Sequence, residues 1–205
     1  MTAIRLAFLA PVILVACATD APTEARYDPL KDYEELKPST VLDAPNPVAG
    51  SFAPERLYQV KRGEYLVELL GCGSCHTDGA LEGAPKMKRS LAGSRIGIAY
   101  SNPMGDKNPG VVYPPNLTPD EDTGLGLWND LQIEQAIRTG IGQHSGRRLV
   151  AMPWQGYTKM TREDVAAVVA YLRSIPAVNH KVPDEVKPGE KAKETFVYFG
   201  VYRSR

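Results

Sequence analysis

The chemistry-bearing stretch of this 205-residue chain is Cys72-Gly73-Ser74-Cys75-His76. Two thiols separated by two residues lie on adjacent turns of backbone, close enough to bond the two vinyl-derived carbons of one porphyrin. The next side chain, His76, is then directed at the iron, where an imidazole nitrogen has the reach and softness of a proximal ligand. The run is an attachment pattern for one covalent c-type haem, haem c. Three other chemistries compete for it. A thioredoxin-like redox pair needs a strand-to-helix context and has no use for the histidine. A zinc site needs a second Cys or His pair, and only the isolated Cys17, His144 and His180 remain. A disulfide across two residues is strained and closes almost no loop.

A haem ligated by one histidine leaves a second axial position. Met152, followed by Pro153 in a loop leading to the last helix, can bring a thioether against the distal haem face. Met/His ligation raises the reduction potential relative to two nitrogen ligands. Methionine is more often core filler than ligand, so its rivals count. Met87 and Met104 fall in a long loop, Met160 adjoins a helix cap, and His144 and the later His180 are the nitrogen alternatives. Position favours Met152.

Three helices are expected to hold these groups. Over residues 56–71, Leu57, Val60, Leu66, Leu69 and Leu70 gather roughly on one side, and Gly71 stops the helix immediately before the cysteines. Asn129 with Gln132 forms a capping-box pattern for a second helix, whose apolar positions are Leu131, Ile133, Ala136 and Ile137 and whose stop is Gly140. Thr161 caps the third, with Asp164 at the reciprocal position, and Val165, Val168, Val169, Leu172 and Ile175 form a stripe ending at Pro176. Its Ala166, Ala167 and Ala170 permit a close crossing with the first helix. Residues 76–116 show no period and read as a Gly- and Pro-rich wrapping loop. Its basic cluster of Lys86, Lys88, Arg89 and Arg95 suits haem propionates or a docking partner.

The ends of the chain read differently. Arg5 followed by the apolar run from Leu6 to Ala16 forms a signal segment too short for a permanent membrane span. Its end, Leu14-Val15-Ala16-Cys17, resembles the lipobox of bacterial lipoproteins, which implies lipidation of Cys17. One cysteine then goes to lipid and two to haem, and no free thiol remains in an oxidising compartment. Residues 17–54, with six prolines between Pro22 and Pro54 and a mostly acidic charge, read as a lipid-anchored tether. A coil of that length reaches on the order of 35 Å. The folded domain is expected over 55–176, and 177–205 is a C-terminal extension with Phe196, Val197, Tyr198, Phe199 and Val201, able to form a short strand or to dock. Zero formal net charge and a pI of about 6.8 give no nucleic-acid footprint.

Taken together, Arg62-Gly63-Glu64-Tyr65-Leu66, the Cys-x-x-Cys-His run, Pro115-Asn116-Leu117-Thr118-Pro119-Asp120, Thr123-Gly124-Leu125-Gly126 with Trp128, Ala151-Met152-Pro153-Trp154 and Ala170-Tyr171-Leu172-Arg173-Ser174-Ile175-Pro176 resemble class I c-type cytochromes. More narrowly they resemble one module of the multihaem cytochrome subunits serving periplasmic alcohol and gluconate dehydrogenases. The resemblance implies an all-α cytochrome c fold, with three main helices and long haem-wrapping loops. It implies covalent haem on Cys72 and Cys75, His76 as proximal ligand and Met152 as distal ligand. The chain departs from the pattern in its single haem module, its longer loop between Ser94 and Val112 and its tail after Pro176.

A six-coordinate haem offers no open position to a substrate, and no catalytic triad, phosphate loop or carboxylate pair stands elsewhere in the sequence. The expected function is therefore one-electron transfer rather than independent catalysis. The leading expectation is a membrane-tethered carrier on the periplasmic side of a bacterial membrane, between a dehydrogenase or quinol-oxidising complex and an oxidase or another cytochrome. A fixed electron-transfer subunit of a larger periplasmic dehydrogenase is the alternative. A ligand-binding or peroxidatic haem protein, with His144 as distal group, is a third.

Overall fold

A computed structural model describes residues 27–32, 42–142 and 151–200. Cys17, His144 and the signal segment lie outside them. Among the described residues there are five helices rather than three: α1 (Leu57–Leu69), α2 (Cys72–His76), α3 (Asp130–Thr139), α4 (Trp154–Tyr157) and α5 (Arg162–Ser174). The capping chemistry behaves as its residues dictate. Asn129 Oδ1 accepts from the Gln132 amide at 2.9 Å while Gln132 Oε1 accepts from the Asn129 amide at 2.8 Å, closing a reciprocal box at the start of α3. Thr161 Oγ1 accepts from the Asp164 amide at 3.1 Å at the start of α5. The Asp164 carboxylate turns away to the Arg62 guanidinium of α1, 2.9 Å distant.

The main core lies between α1 and α5. Val60, Gly63, Leu66 and Val67 form the buried face of α1. Leu57 and Leu69, expected on that face, are 50% and 64% exposed. The difference has a steric cause: the crossing is centred on Gly63, where a Cβ would stand 2.0 Å from the Ala167 carbonyl oxygen and 2.6 Å from Tyr171 Cβ. α5 supplies Val165, Ala167, Val168, Val169, Ala170, Tyr171 and Leu172, all buried, whereas Ala166 faces solvent. On α3, Ile133 is buried and Leu131 is not.

The segment just before α1 is held on this helix pair. The Tyr171 hydroxyl donates to the Pro45 carbonyl at 2.6 Å, the Val48 amide to the Ser174 carbonyl at 2.7 Å and the Ala44 amide to Glu68 Oε1 at 3.1 Å. These bonds bind residues that composition alone groups with the acidic, Pro-rich tether.

The helices are accompanied by a small sheet, which corrects the all-α expectation. β1 (Gly97–Ala99) pairs antiparallel with β2 (Val111–Val112), with Ile98 opposite Val112, and parallel with β3 (Phe196–Tyr198), with Ile98 opposite Val197. Strands of two and three residues are too short to leave a period in sequence. A second, smaller core forms beneath them: Ala99, Val111 and Tyr113 from the wrapping loop meet Val182, Val186, Ala192 and Phe196 from the tail. The long loop and the C-terminal extension, two separate departures from the family pattern, are each other's partners.

Gly63→Ala is expected to destabilise the fold, because the added methyl meets backbone rather than a mobile side chain. Overpacking of this kind costs roughly 1–3 kcal/mol, with the upper end expected here, and a lowered denaturation midpoint measures it.

Candidate haem site

Gly71 joins α1 to α2 in the left-handed conformation (φ +67°), which a residue with a Cβ adopts only at a cost. The chain therefore turns sharply at Gly71 and starts a new helical turn at Cys72. That single turn, α2, carries Cys72, Cys75 and His76. His76 Nδ1 lies 2.8 Å from the Pro115 carbonyl oxygen. A carbonyl only accepts, so Nδ1 carries the proton and Nε2 keeps its lone pair, the arrangement that a metal-ligating histidine requires. Burial pushes the His76 pKa down, outweighing the opposite effect of the Pro115 hydrogen bond, so the ring is held neutral.

Pro115 is itself held by the run that follows it. Asn116, fully buried, donates from Nδ2 to Thr123 Oγ1 at 3.0 Å and to the Val178 carbonyl at 2.8 Å, and its Oδ1 accepts from the Thr118 amide at 2.9 Å. Asp120 Oδ1 accepts from the Thr123 hydroxyl and amide at 2.6 and 2.8 Å. A Cβ on Gly124 would stand 2.2 Å from the Thr118 carbonyl oxygen. The Asn-Leu-Thr-Pro-Asp motif is thus a packed hydrogen-bonded loop whose product is the position of one carbonyl against His76.

Cys72, Cys75 and His76 line a cavity of about 1120 Å³, at the large end of small-molecule sites. Its walls are mainly apolar, with Leu117, Leu125, Trp128, Ile133, Val168 and Leu172 prominent. Of the four methionines among the described residues, only Met152 lines it. Met87 and Met104 are exposed, and Met160 packs on the helical core. Met152 precedes α4, a single turn of four residues too short to leave a period in the sequence. Trp154 of α4 lies across Gly140, where a Cβ would stand 2.5 Å from its ring, so the stop residue of α3 also seats the segment bearing Met152.

The cavity fits a flat, largely apolar macrocycle attached through two thiols. It does not fit a redox pair: burial pushes the Cys72 thiol up to about 11 and raises Cys75 too, whereas reactive Cys-x-x-Cys thiols are lowered. Neither cysteine is in a disulfide, and among the described residues no three of His, Cys, Asp and Glu converge as a metal cage.

Lys86, Arg89 and Arg95 of the basic cluster, and His180, are engaged elsewhere in the fold. The basic cluster does not line the cavity. Lys86 and Arg89 bind the buried Asp78 carboxylate at 2.9 and 3.3 Å, the Arg95 amide donates to the same carboxylate at 3.0 Å, and the Arg95 guanidinium pairs with Glu194 of the tail. His180 is buried with both ring nitrogens engaged, Nδ1 to the Ala92 carbonyl at 2.8 Å and Nε2 facing Arg89 at 3.4 Å. It is a structural histidine off the cavity wall.

A sequence profile for cytochrome c matches residues 60–176, more than half of the chain. The chain belongs to the cytochrome c family. Family membership implies covalently bound haem c and electron transfer rather than catalysis. Similar proteins include the fructose dehydrogenase cytochrome subunit of Gluconobacter japonicus, 34% identical over 113 residues that cover 55% of this chain and 20% of that one. The gluconate 2-dehydrogenase cytochrome c subunit of Pantoea cypripedii is 32% identical over 112 residues, 55% of this chain and 22% of its own length. A dihaem cytochrome c-type protein of Cereibacter sphaeroides is 27% identical, over 58% of this chain and 36% of its own. This cytochrome therefore spans about a fifth of the length of the dehydrogenase subunits it matches.

The Asp78 cluster yields a pH prediction. Burial raises the Asp78 pKa, but the Arg95 amide and Lys86 more than offset it, and the net shift is downward. A carboxylate lowered in the fold stabilises it above the ordinary value of about 3.9 and loses that contribution as pH falls below it. Asp78→Asn is expected to cost about 1–3 kcal/mol at neutral pH, shrinking through that acid window, as denaturation series at successive pH values measure.

Proposed function

We propose that this cytochrome is a one-haem electron-transfer subunit of a larger periplasmic dehydrogenase, with haem c on Cys72 and Cys75, His76 as proximal ligand and Met152 as distal ligand. The observation that carries the reading is the convergence of these four side chains on one apolar cavity, with the Nδ1 proton of His76 committed to Pro115. When bound, the haem supplies a one-electron ferric/ferrous couple. The chain's residues do the rest. Cys72 and Cys75 tether and orient, while His76 presents a neutral, preset Nε2. Leu117, Leu125, Trp128 and Leu172 exclude water, which disfavours the more highly charged oxidised state. A single Cys-x-x-Cys-His run in the sequence supports a single haem.

The relatives named as dehydrogenase subunits support a fixed subunit over the membrane-tethered carrier expected from sequence alone. The lipobox-like run ending in Cys17 supports a lipid anchor on the periplasmic side of a bacterial membrane, with redox proteins as partners and no nucleic acid.

Met152→Ala is expected to keep haem covalently attached, to lose the far-red methionine-to-iron absorption band, to lower the reduction potential and to admit carbon monoxide to the reduced protein. A retained band with an unchanged potential excludes Met152 as the distal ligand. Gentle detergent extraction is expected to recover the cytochrome together with a dehydrogenase. Recovery of the cytochrome alone would return the mobile carrier as the better reading.

A further inference from the structure

The tail beyond the family pattern enters the cavity wall, through Asn179, Lys181, Val182, Pro183, Asp184 and Glu185. This placement is built by every second residue. The Val178 carbonyl accepts from Asn116 and its amide donates to Thr118 Oγ1 at 3.1 Å. The His180 amide donates to Thr123 Oγ1 at 3.0 Å, and its ring is buried against Ala92 and Arg89. Val182 packs so closely on Gly93 that a Cβ there would stand 2.6 Å from Val182 Cγ1. In an extended segment, alternate side chains point to opposite sides. With Val178 and His180 committed to the loops, Asn179 and Lys181 face the cavity, beside Val182, which lines it while packing on Gly93.

Lys181 is the sole Lys or Arg among the described residues of the cavity wall. It has no ion-pair partner among the described residues, whereas three of the four cations first expected to serve the haem, Lys86, Arg89 and Arg95, are engaged by Asp78 and Glu194, and the fourth, Lys88, lies off the cavity wall. The charged groups sharing the wall are the carboxylates of Asp122, Asp184 and Glu185. Asp122 accepts from Asn179 Nδ2 at 3.3 Å, and Glu185 from the Tyr100 hydroxyl at 3.0 Å. Among the charged groups of this wall, Lys181 is the one that attracts an anionic ligand group, and the three carboxylates repel it.

We infer that the C-terminal segment 178–185 is a working part of the haem pocket and that Lys181 receives a haem propionate. The inference rests on the haem reading above and adds a residue that sets the potential from outside the family match. An ammonium beside a propionate offsets its negative charge. Without it, the carboxylate stabilises the ferric state more, and the propionate binds its proton more readily in both oxidation states.

The test is equilibrium redox titration, over a range of pH, of the haem-loaded full chain beside Lys181→Gln, Lys181→Arg and Lys187→Gln. Lys181→Gln is expected to lower the potential and to move the pH range in which the potential is pH-dependent upward. Lys181→Arg keeps both. Lys187→Gln changes neither, since Lys187 removes the same charge from the same tail but lies off the cavity wall. An unchanged potential and pH range in Lys181→Gln, or an equal fall in Lys187→Gln, overturns the assignment with the haem reading intact. A wild-type chain without covalent haem, judged by the spectrum of the denatured protein, overturns both.

Discussion

The Ala167 carbonyl oxygen occupies the space where any side chain at position 63 would have to stand, and the haem site depends on that contact. It lets α1 and α5 approach backbone to backbone, with Val60 and Val67 on one side and Val168 and Tyr171 on the other. The crossing fixes where α1 ends. Because Gly71 turns the chain sharply, it also fixes where Cys72, Cys75 and His76 begin. A larger residue at 63 would move the wall and the motif together.

The other side of the site is set by polar bonding rather than packing. Asn116, Thr118, Asp120 and Thr123 bond one another and three residues of the tail, Val178, Asn179 and His180, and a fully satisfied network of this kind rigidifies the fold around it. Their arrangement leaves the Pro115 carbonyl facing His76 and the Val178–Glu185 segment against the cavity. The same backbone run thus orients His76 and carries the extension into the pocket wall. A second charged hub, Asp78 with Lys86 and Arg89, holds the start of the wrapping loop. Two cations of the basic cluster are thereby engaged by a buried carboxylate rather than at the cavity.

The wrapping loop and the tail had no visible period because each strand is only two or three residues long, and the third strand of the sheet comes from far along the chain. Pairing Ile98 with Val197 is a property of neither segment alone. Both extra segments belong to one small lobe with its own core, and the lobe sits on the haem cavity through Val182 and its neighbours.

The Cys-x-x-Cys-His run, the caps at Asn129 and Thr161, the stops at Gly71 and Gly140 and the stripe of α5 were legible in the sequence, because each is a local device acting over five residues or fewer, or a repeat of the helical period. Met152 was legible as a candidate by its place before the last helix. Only the tertiary structure decided which side of α1 is buried, since Gly63 rather than a leucine makes the contact. It alone decided that Met152 and not Met87, Met104 or Met160 reaches the cavity, and that His180 is occupied by Ala92 and Arg89. It alone put Lys181 on the wall, for the same physical reason: burial, ion pairing and the facing of a side chain are settled by what arrives from distant parts of the chain, and spacing along the sequence carries no record of it.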